Sequence, residues 1–283
     1  MELIHVMVNG APGNMARQLM RHVIAAGDMN LIPMSMTGPE TAEKEIAADG
    51  VSVRLIRPDE KDLLLDRLDT SGLAADGAKG SPVVAVDFTH PSAVNANAAF
   101  YAANGLWFVM GTTGGDRSAL HETVEDSEIS AVIAPNMAKQ IVGLQAMLEY
   151  GAATFPGLFR GFDLRIRESH QRGKADTSGT AKALMASFQR LGCEFSADQI
   201  EMERDPVRQR EEWGIPEEFL DGHAWHTYTL RSPASGAEFA ITHNINGREI
   251  YMGGILDAVR YLAARRTAGP GKVYSMEDVL RAG

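Results

Sequence analysis

The sequence predicts an α/β protein in two parts, a doubly wound parallel-sheet domain followed by an α+β lobe with a mixed or antiparallel sheet. Three observations carry this. Short apolar runs alternate with helical segments over the first 135 residues. The first run ends in a glycine-rich turn that opens a helix. After Pro135 the grammar changes to segments in which polar and apolar residues alternate.

In chain order, residues 3–8, 31–35, 51–56, 83–88, 107–110 and 131–134 are the apolar runs, short enough to be strands buried on both faces of a parallel sheet. The helices between them cover 15–26, 58–68 with a proline at its start, 92–103 before Asn104-Gly105, and 117–126. Right-handed crossovers then place ligands at the carboxyl ends of the strands. Residues 74–80 are a surface loop by composition. In the second part, 140–155 reads as a helix ending at Pro156-Gly157. The run 162–167 reads as a strand in which Phe162, Leu164 and Ile166 alternate with Asp163, Arg165 and Arg167. A polar loop leads to a helix over 180–191, and 225–230 and 238–243 are antiparallel strands about Ser235-Gly236. Residues 250–266 form a helix, with Tyr251, Ile255, Val259 and Leu262 at helical spacing, that returns to the first domain.

The 283 residues are 45% hydrophobic and 23% charged, a folding composition, and the net charge of −10 argues against a general nucleic-acid binder, which needs a basic face. Cys193, the single cysteine, forms no intramolecular disulfide and fits a reducing compartment as a small buried residue. The apolar stretch 93–110 is broken by Asn95, Asn97, Asn104 and Gly105, so no membrane span is expected. The N-terminus shows no leader pattern, and the expected location is the cytoplasm.

The turn Gly10-Ala11-Pro12-Gly13-Asn14-Met15-Ala16 is a variant of the Rossmann-like dinucleotide fingerprint, with Pro12 and Ala16 departing from the glycine pattern. A helix start there offers free N–H groups to a pyrophosphate, and the rival reading is a structural turn. The second strand reaches Ser35 and Thr37 with no carboxylate before Glu40. The site therefore does not repel a 2′-phosphate, Ser35 and Thr37 are its candidate partners, and NADPH is favoured while NADH stays open, although no arginine is visible nearby. Two more strand ends, Asp87-Phe88-Thr89-His90-Pro91 and Gly111-Thr112-Thr113-Gly114-Gly115, fall on the same sheet edge, as does Ala134-Pro135-Asn136-Met137. Helix capping, with Thr89 as the cap, is the rival for the first two.

From Arg160 to Lys174 five cations face two acids, a local charge of +3 against −13 for the rest, which calls for an anionic ligand. Ser178-Gly179-Thr180 opens a helix and suits a carboxylate, His170 titrates near neutrality, and Lys174 is a nearby cation. A solvated basic loop with a helix cap is the alternative. His223, His226 and His243 are read as satisfied core or interface histidines and no metal is expected, since residues three apart in an alternating segment fall on opposite faces.

The motifs Gly-Ala-x-Gly-x-Met-x-Arg-Gln-Leu at 10–19, Asp-Phe-Thr-x-Pro at 87–91, Gly-Thr-Thr-Gly at 111–114, Ala-Pro-Asn at 134–136 and Glu-Ser-His-Gln-x-x-Lys-x-Asp-Thr-Ser-Gly-Thr-Ala at 168–181 together resemble the 4-hydroxy-tetrahydrodipicolinate (dihydrodipicolinate) reductase family. Glu-Ser-His-Gln, Asp-Thr-Ser-Gly-Thr, Arg-Asp-Pro at 204–206 and Gly-His-Ala-Trp-His at 222–226 are similar to its plant-type branch.

The resemblance implies that His170 is the proton donor, assisted by Lys174, and that Ser178, Gly179 and Thr180 hold a substrate carboxylate. It places Gly10, Gly13, Asn14 and Met15 at the cofactor pyrophosphate and Phe88, Thr89, Gly111, Thr112, Thr113, Ala134, Asn136 and Met137 towards the nicotinamide. Arg248 matches an arginine at the junction of cofactor and substrate. Gln171 stands where many members have a second histidine, and Met137 where an aromatic is common. The implied reaction is hydride addition at C4 and protonation at C3 of a small cyclic dicarboxylate of lysine biosynthesis, in a homodimer or homotetramer. The expected division is residues 1–137 plus 249–283 for the dinucleotide and 138–248 for substrate binding and oligomerisation. The rivals are another two-domain NAD(P)-dependent amino-acid or sugar dehydrogenase, and a non-catalytic nucleotide sensor.

Overall fold

The computed structural model describes residues 3–70, 83–265 and 271–283. The chain forms two compact units, one of Met1–Lys139 with Tyr251–Gly283, the other of Gln140–Ile250.

In the first unit β1 (Ile4–Asn9) is buried on both faces, with Val6, Met7 and Val8 at 0% exposure, and runs into α1 (Asn14–Ala25). The run expected as one strand at 31–35 is two. Pro33 has no N–H to continue a ladder, so β2 (Met29–Leu31) stays parallel to β1, while β3 (Met34–Met36) joins a separate sheet with β4 (Glu45–Ala48) and β5 (Val51–Ile56). That sheet has the order β3-β5-β4 and thus takes the run 51–56 out of the main sheet. The β4–β5 hairpin turns on Asp49-Gly50, both at positive φ, an Asp-Gly signal that the periodicity reading overlooked. A 3₁₀ turn on Pro58 leads into α2 (Lys61–Thr70), and the loop expected at 74–80 lies outside the described residues. Then follow β6 (Val83–Asp87), α3 (Val94–Ala103), β7 (Trp107–Met110), α4 (Arg117–Glu125) and β8 (Ala131–Ile133). The strands order as β8-β7-β6-β1-β2, all parallel, which brings the ends of β1, β6, β7 and β8 to one edge.

In the second unit α5 (Lys139–Thr154) precedes β9 (Asp163–His170), α6 (Gly179–Arg190), β10 (Glu201–Glu203), α7 (Pro206–Glu211), β11 (His223–Arg231) and β12 (Glu238–Asn246). The sheet β10-β9-β11-β12 is mixed, with β11 antiparallel to both neighbours and β10 parallel to β9. Its even-numbered β9 and β11 side chains, Leu164, Ile166, Tyr228 and Leu230, pack with Leu184 and Phe188 of α6 into one core that also takes Cys193. β9 runs three residues past its expected end because Glu168, Ser169 and His170 stay buried and paired to β11. The Asp205 cap and Pro206 mark the start of α7.

α8 (Glu249–Arg265) leads back to the first unit, where β13 (Val273–Tyr274) pairs with β8 and α9 (Met276–Ala282) starts on a Ser275–Asp278 capping box. The sixth strand of the main sheet is therefore C-terminal. Among the described residues no helix is long and apolar enough to cross a membrane.

Candidate active site

The glycine turn is built by close approach. Gly10 has φ +107°, and a Cβ there would lie 2.2 Å from the carbonyl oxygen of Phe88. A Cβ on Gly111 would meet the Phe88 ring at the same distance, so Phe88 shapes two of the strand ends. Gly13 is the N-cap of α1 and no side chain caps that helix, which leaves first-turn N–H groups at Asn14 and Met15 for an anion. Behind the turn the fully buried Asp87 accepts from Tyr101 (2.8 Å), Asn97 (3.0 Å), and the hydroxyls of Thr89 (2.7 Å) and Thr112 (3.0 Å). Those two threonines therefore brace the sheet edge. His90 rather than Thr89 caps the following turn, its Nδ1 accepting from the Ser92 N–H. Asn136 Oδ1 accepts from the Ala138 N–H, Ala134 and Met137 are buried, and Thr113 is exposed.

The second strand end differs from expectation. Ser35 Oγ accepts from the Ala11 N–H (3.2 Å) and Thr37 donates to the Ala11 carbonyl (2.7 Å), so both hydroxyls hold the glycine turn instead of facing a phosphate. An arginine does stand nearby. Arg57, just past β5, donates from Nε and Nη2 to the Thr41 carbonyl (3.1 and 2.8 Å), and Thr41 shares a hydrogen bond with Thr37 (2.8 Å). Only the β3–β5 pairing brings it there, which is why it is invisible beside Thr37 in the sequence.

In the second unit His170 ends β9 at 7% exposure. Its Nε2 lies 3.1 Å from Nε2 of His226, whose Nδ1 shares a hydrogen bond with the Tyr228 hydroxyl (3.0 Å), and Gln209 donates to the His170 carbonyl (2.7 Å). Glu168, fully buried, accepts from Arg204 (2.5 Å) and from the Ser178 N–H (3.1 Å). Glu168 thus orders the loop rather than the His170 ring. Arg204 also donates to the Lys174 carbonyl (2.8 Å), so it pins the loop between His170 and α6 from outside. Lys174 Nζ pairs with Asp176 (2.8 Å), and Ser178 caps α6 through the Thr180 N–H. Gln171, Thr180 and Arg248 are half-buried and Gly179 is exposed. Arg248 follows β12 just after Gly247, whose N–H donates to the Gly222 carbonyl (2.7 Å). His170, Gln171, Lys174, Ser178, Gly179 and Thr180 thus share one strand–loop–helix segment.

Burial first, then the charges of Arg204 and Lys174, push the His170 pKa down to about 4. Burial takes His226 to about 2 and His243 to about 4. The basic stretch from Arg160 to Lys174 does not make one patch. Strand alternation puts Arg165 and Arg167 on the face opposite Glu168 and His170, where both pair with Glu201 and Arg167 stacks on Trp213.

His223, opposite in parity to His226, shares hydrogen bonds with Ser169 Oγ and the Phe219 carbonyl. His226 is likewise satisfied, but both His243 ring nitrogens are buried with no hydrogen-bond partner among the described residues, while the ring stacks on His226, centroids 4.6 Å apart. Donor atoms of Glu168, His170 and His226 lie within 4.8 Å of one another. Glu168 is already engaged by Arg204 and Ser178, and the two imidazoles by each other. Sequence reasoning passed over Arg204, Gln209 and Tyr228; the Arg-Asp-Pro motif was the one signal for the first.

Residues 4–137 match the family model for the dihydrodipicolinate reductase N-terminus, and residues 141–280 that for its C-terminus. The chain belongs to the dihydrodipicolinate reductase family. It is 43% identical over 281 residues to 4-hydroxy-tetrahydrodipicolinate reductase 2, chloroplastic, of Arabidopsis thaliana, covering 99% of this chain and 78% of that protein. It is 29% identical to the 4-hydroxy-tetrahydrodipicolinate reductase of Trichormus variabilis, with 98% of each covered. The fold resembles that of a dipicolinate-bound dihydrodipicolinate reductase from Paenisporosarcina sp. TG-14, at a TM-score of 0.65 and 19% identity over 98% of this chain and 99% of that one. The family resemblance carried by the motifs is confirmed.

Proposed function

We propose that this protein reduces 4-hydroxy-tetrahydrodipicolinate to tetrahydrodipicolinate with NAD(P)H, in the route to diaminopimelate and lysine, the 4-hydroxyl leaving as water with a C3 hydrogen to give the dihydro ring that takes up one hydride and one proton. The observation that carries this is the Glu168-to-Thr180 segment, buried at Glu168 and His170 and pinned by Arg204, in a chain both of whose halves match the reductase family.

The first unit holds the cofactor. Gly10 and Gly13 bring backbone against a pyrophosphate, the N–H groups of Asn14 and Met15 donate to its oxygens, and the Phe88, Gly111, Ala134 and Asn136 strand ends serve the nicotinamide side. No side chain caps α1, and glycine at 10 and 111 is what lets Phe88 pack against both strand ends, so the residues fit the group. When bound, the nicotinamide supplies the hydride that C4 of the substrate ring takes up. NADPH is the preferred form and NADH is also accepted. Arg57 at the end of β5 supplies a cation for a 2′-phosphate, and Ser35 and Thr37 act through the turn they brace.

The second unit handles the substrate. Ser178, Gly179 and Thr180 receive one carboxylate at the start of α6, and Lys174, Arg248 and the uncharged amide of Gln171 provide for the other. His170 gives the proton to C3. Without ligand it is neutral, because burial first, and then the charges of Arg204 and Lys174, oppose a charge on its ring. A dianion beside those cations cancels them, so binding substrate makes the protonated acid easier to form. The protein works as a homodimer or homotetramer, with the exposed Thr242 and Asn244 of β12 on the associating sheet face. The single buried cysteine supports a reducing compartment; the cytoplasm is proposed, and the plastid named for the plant relative is the other candidate.

The test supplies the condensation product that feeds this step and follows loss of NADPH absorbance. Wild-type protein should consume the cofactor, and His170→Ala and Lys174→Ala should lower turnover by orders of magnitude with cofactor affinity unchanged. Cofactor reduction with an amino acid and no turnover of the condensation product would favour the dehydrogenase reading.

A further inference from the structure

The chemistry assigned to His170 requires a defined proton on a defined nitrogen, and the buried groups behind it specify which. Tyr228 is fully buried, and among the described residues its hydroxyl is hydrogen-bonded to Nδ1 of His226 at 3.0 Å. His226, 1% exposed, presents Nε2 to Nε2 of His170 at 3.1 Å with the rings nearly perpendicular. One hydrogen lies between two facing imidazole nitrogens, so the run Tyr228–His226–His170 has two polarities. In one, the phenol donates to Nδ1, His226 donates from Nε2, and neutral His170 keeps its hydrogen on Nδ1. In the other every bond reverses, and the phenol hydrogen is left in the core without an acceptor. A buried donor without a partner is the costlier arrangement, so the first polarity prevails. Burial and the neighbouring Glu168 both hold the phenol in its protonated, donating form.

We propose that Tyr228 and His226 are positioning residues that fix neutral His170 as its Nδ1–H tautomer and hold its ring against β11. The proposal rests on the reading of His170 as the proton donor. Charging His170 at Nε2 means breaking this run, because that nitrogen faces the N–H of His226. The remaining groups around the pair are Glu168 on β9, His223 on β11, His243 on β12, Lys174 in the loop and Arg204 after β10. Arg204 and Lys174 disfavour charge on either ring whatever the tautomer, so the tautomer itself must be read directly.

The decisive measurement is ¹⁵N NMR of histidine-labelled full-length protein, with the His170 signals assigned by their loss in His170→Gln. The expected result is a neutral His170 protonated on Nδ1. Tyr228→Phe should mix the two tautomers, lower kcat roughly ten-fold with substrate KM unchanged, and move the alkaline limb of kcat/KM to higher pH. His226→Gln, which keeps a side-chain N–H, should retain more activity than His226→Leu. Wild-type His170 protonated on Nε2, or a Tyr228→Phe protein with unaltered tautomer and pH profile, overturns the proposal. If Tyr228→Phe does not fold, the wild-type spectrum alone decides. Full turnover in His170→Ala removes the proton-donor reading instead, and leaves the tautomer measurement to be judged by itself.

Discussion

His243 offers a direct measure of what a buried imidazole costs this fold. Among the described residues its two ring nitrogens have no hydrogen-bond partner, and it stacks on His226 at 4.6 Å and 22°. His243→Phe keeps the ring and removes both unsatisfied atoms, which should stabilise the protein by about 1–2 kcal/mol at pH 7.5. A second effect depends on pH. Burial holds the folded-state pKa of His243 at about 4, below the ordinary histidine value of 6.5, so the unfolded chain binds the extra proton first as the medium becomes acidic. Stability is therefore retained above pH 6.5 and is lost as pH falls from there towards 4, where the folded ring also charges. Between pH 7.5 and 5 this one group accounts for about 2 kcal/mol. Urea unfolding followed by tryptophan fluorescence at both pH values would show it, since Trp213 and Trp225 lie in the same unit. The Phe variant should lose about 2 kcal/mol less than wild type on acidification, His170 and His226 still contributing their part. An acid loss equal to that of wild type, or a less stable variant at pH 7.5, would refute the reasoning.

Three other outcomes are expected. Arg57→Ala should weaken binding of NADPH roughly ten-fold and leave NADH almost unchanged, as read by isothermal titration with each cofactor; equal losses would show that Arg57 only holds Thr41. Pyridine-2,6-dicarboxylate should raise the His170 pKa from about 4, visible as an upfield-to-downfield ring titration by NMR at higher pH and as tighter binding when pH is lowered. An unmoved titration would mean that no carboxylate reaches the Arg204 and Lys174 charges. Gly10→Ala places a methyl 2.2 Å from the Phe88 carbonyl at φ +107°, so it should cost about 1–3 kcal/mol in unfolding and abolish tight cofactor binding, with wild-type behaviour in both assays counting against the close-approach argument.

Much of this molecule is legible in one dimension because its signals are local. Apolar runs, the glycine turn before α1, the Ser178 cap of α6 and the Ser-His-Gln motif each act over a few residues, where φ preferences and hydrogen-bonding reach determine what forms. The class of fold and the family follow from them. Pairing and parity are different in kind. Pro33 ends one ladder and sends β3 to another sheet, the sixth main strand arrives from residues 273–274, and Arg57 reaches Thr41 only across the β3–β5 pair. The basic stretch after Arg160 looks like one cation patch in sequence, yet alternation along β9 turns Arg165 and Arg167 away from His170. The group that balances Glu168 comes from Arg204, and the rings behind His170 come from β11 and β12. The sequence by itself determined which residues could carry the chemistry, since that depends on side-chain type and local backbone. Tertiary structure alone decided their burial, charge environment and partners, because those depend on which distant strand lies alongside and which face it presents.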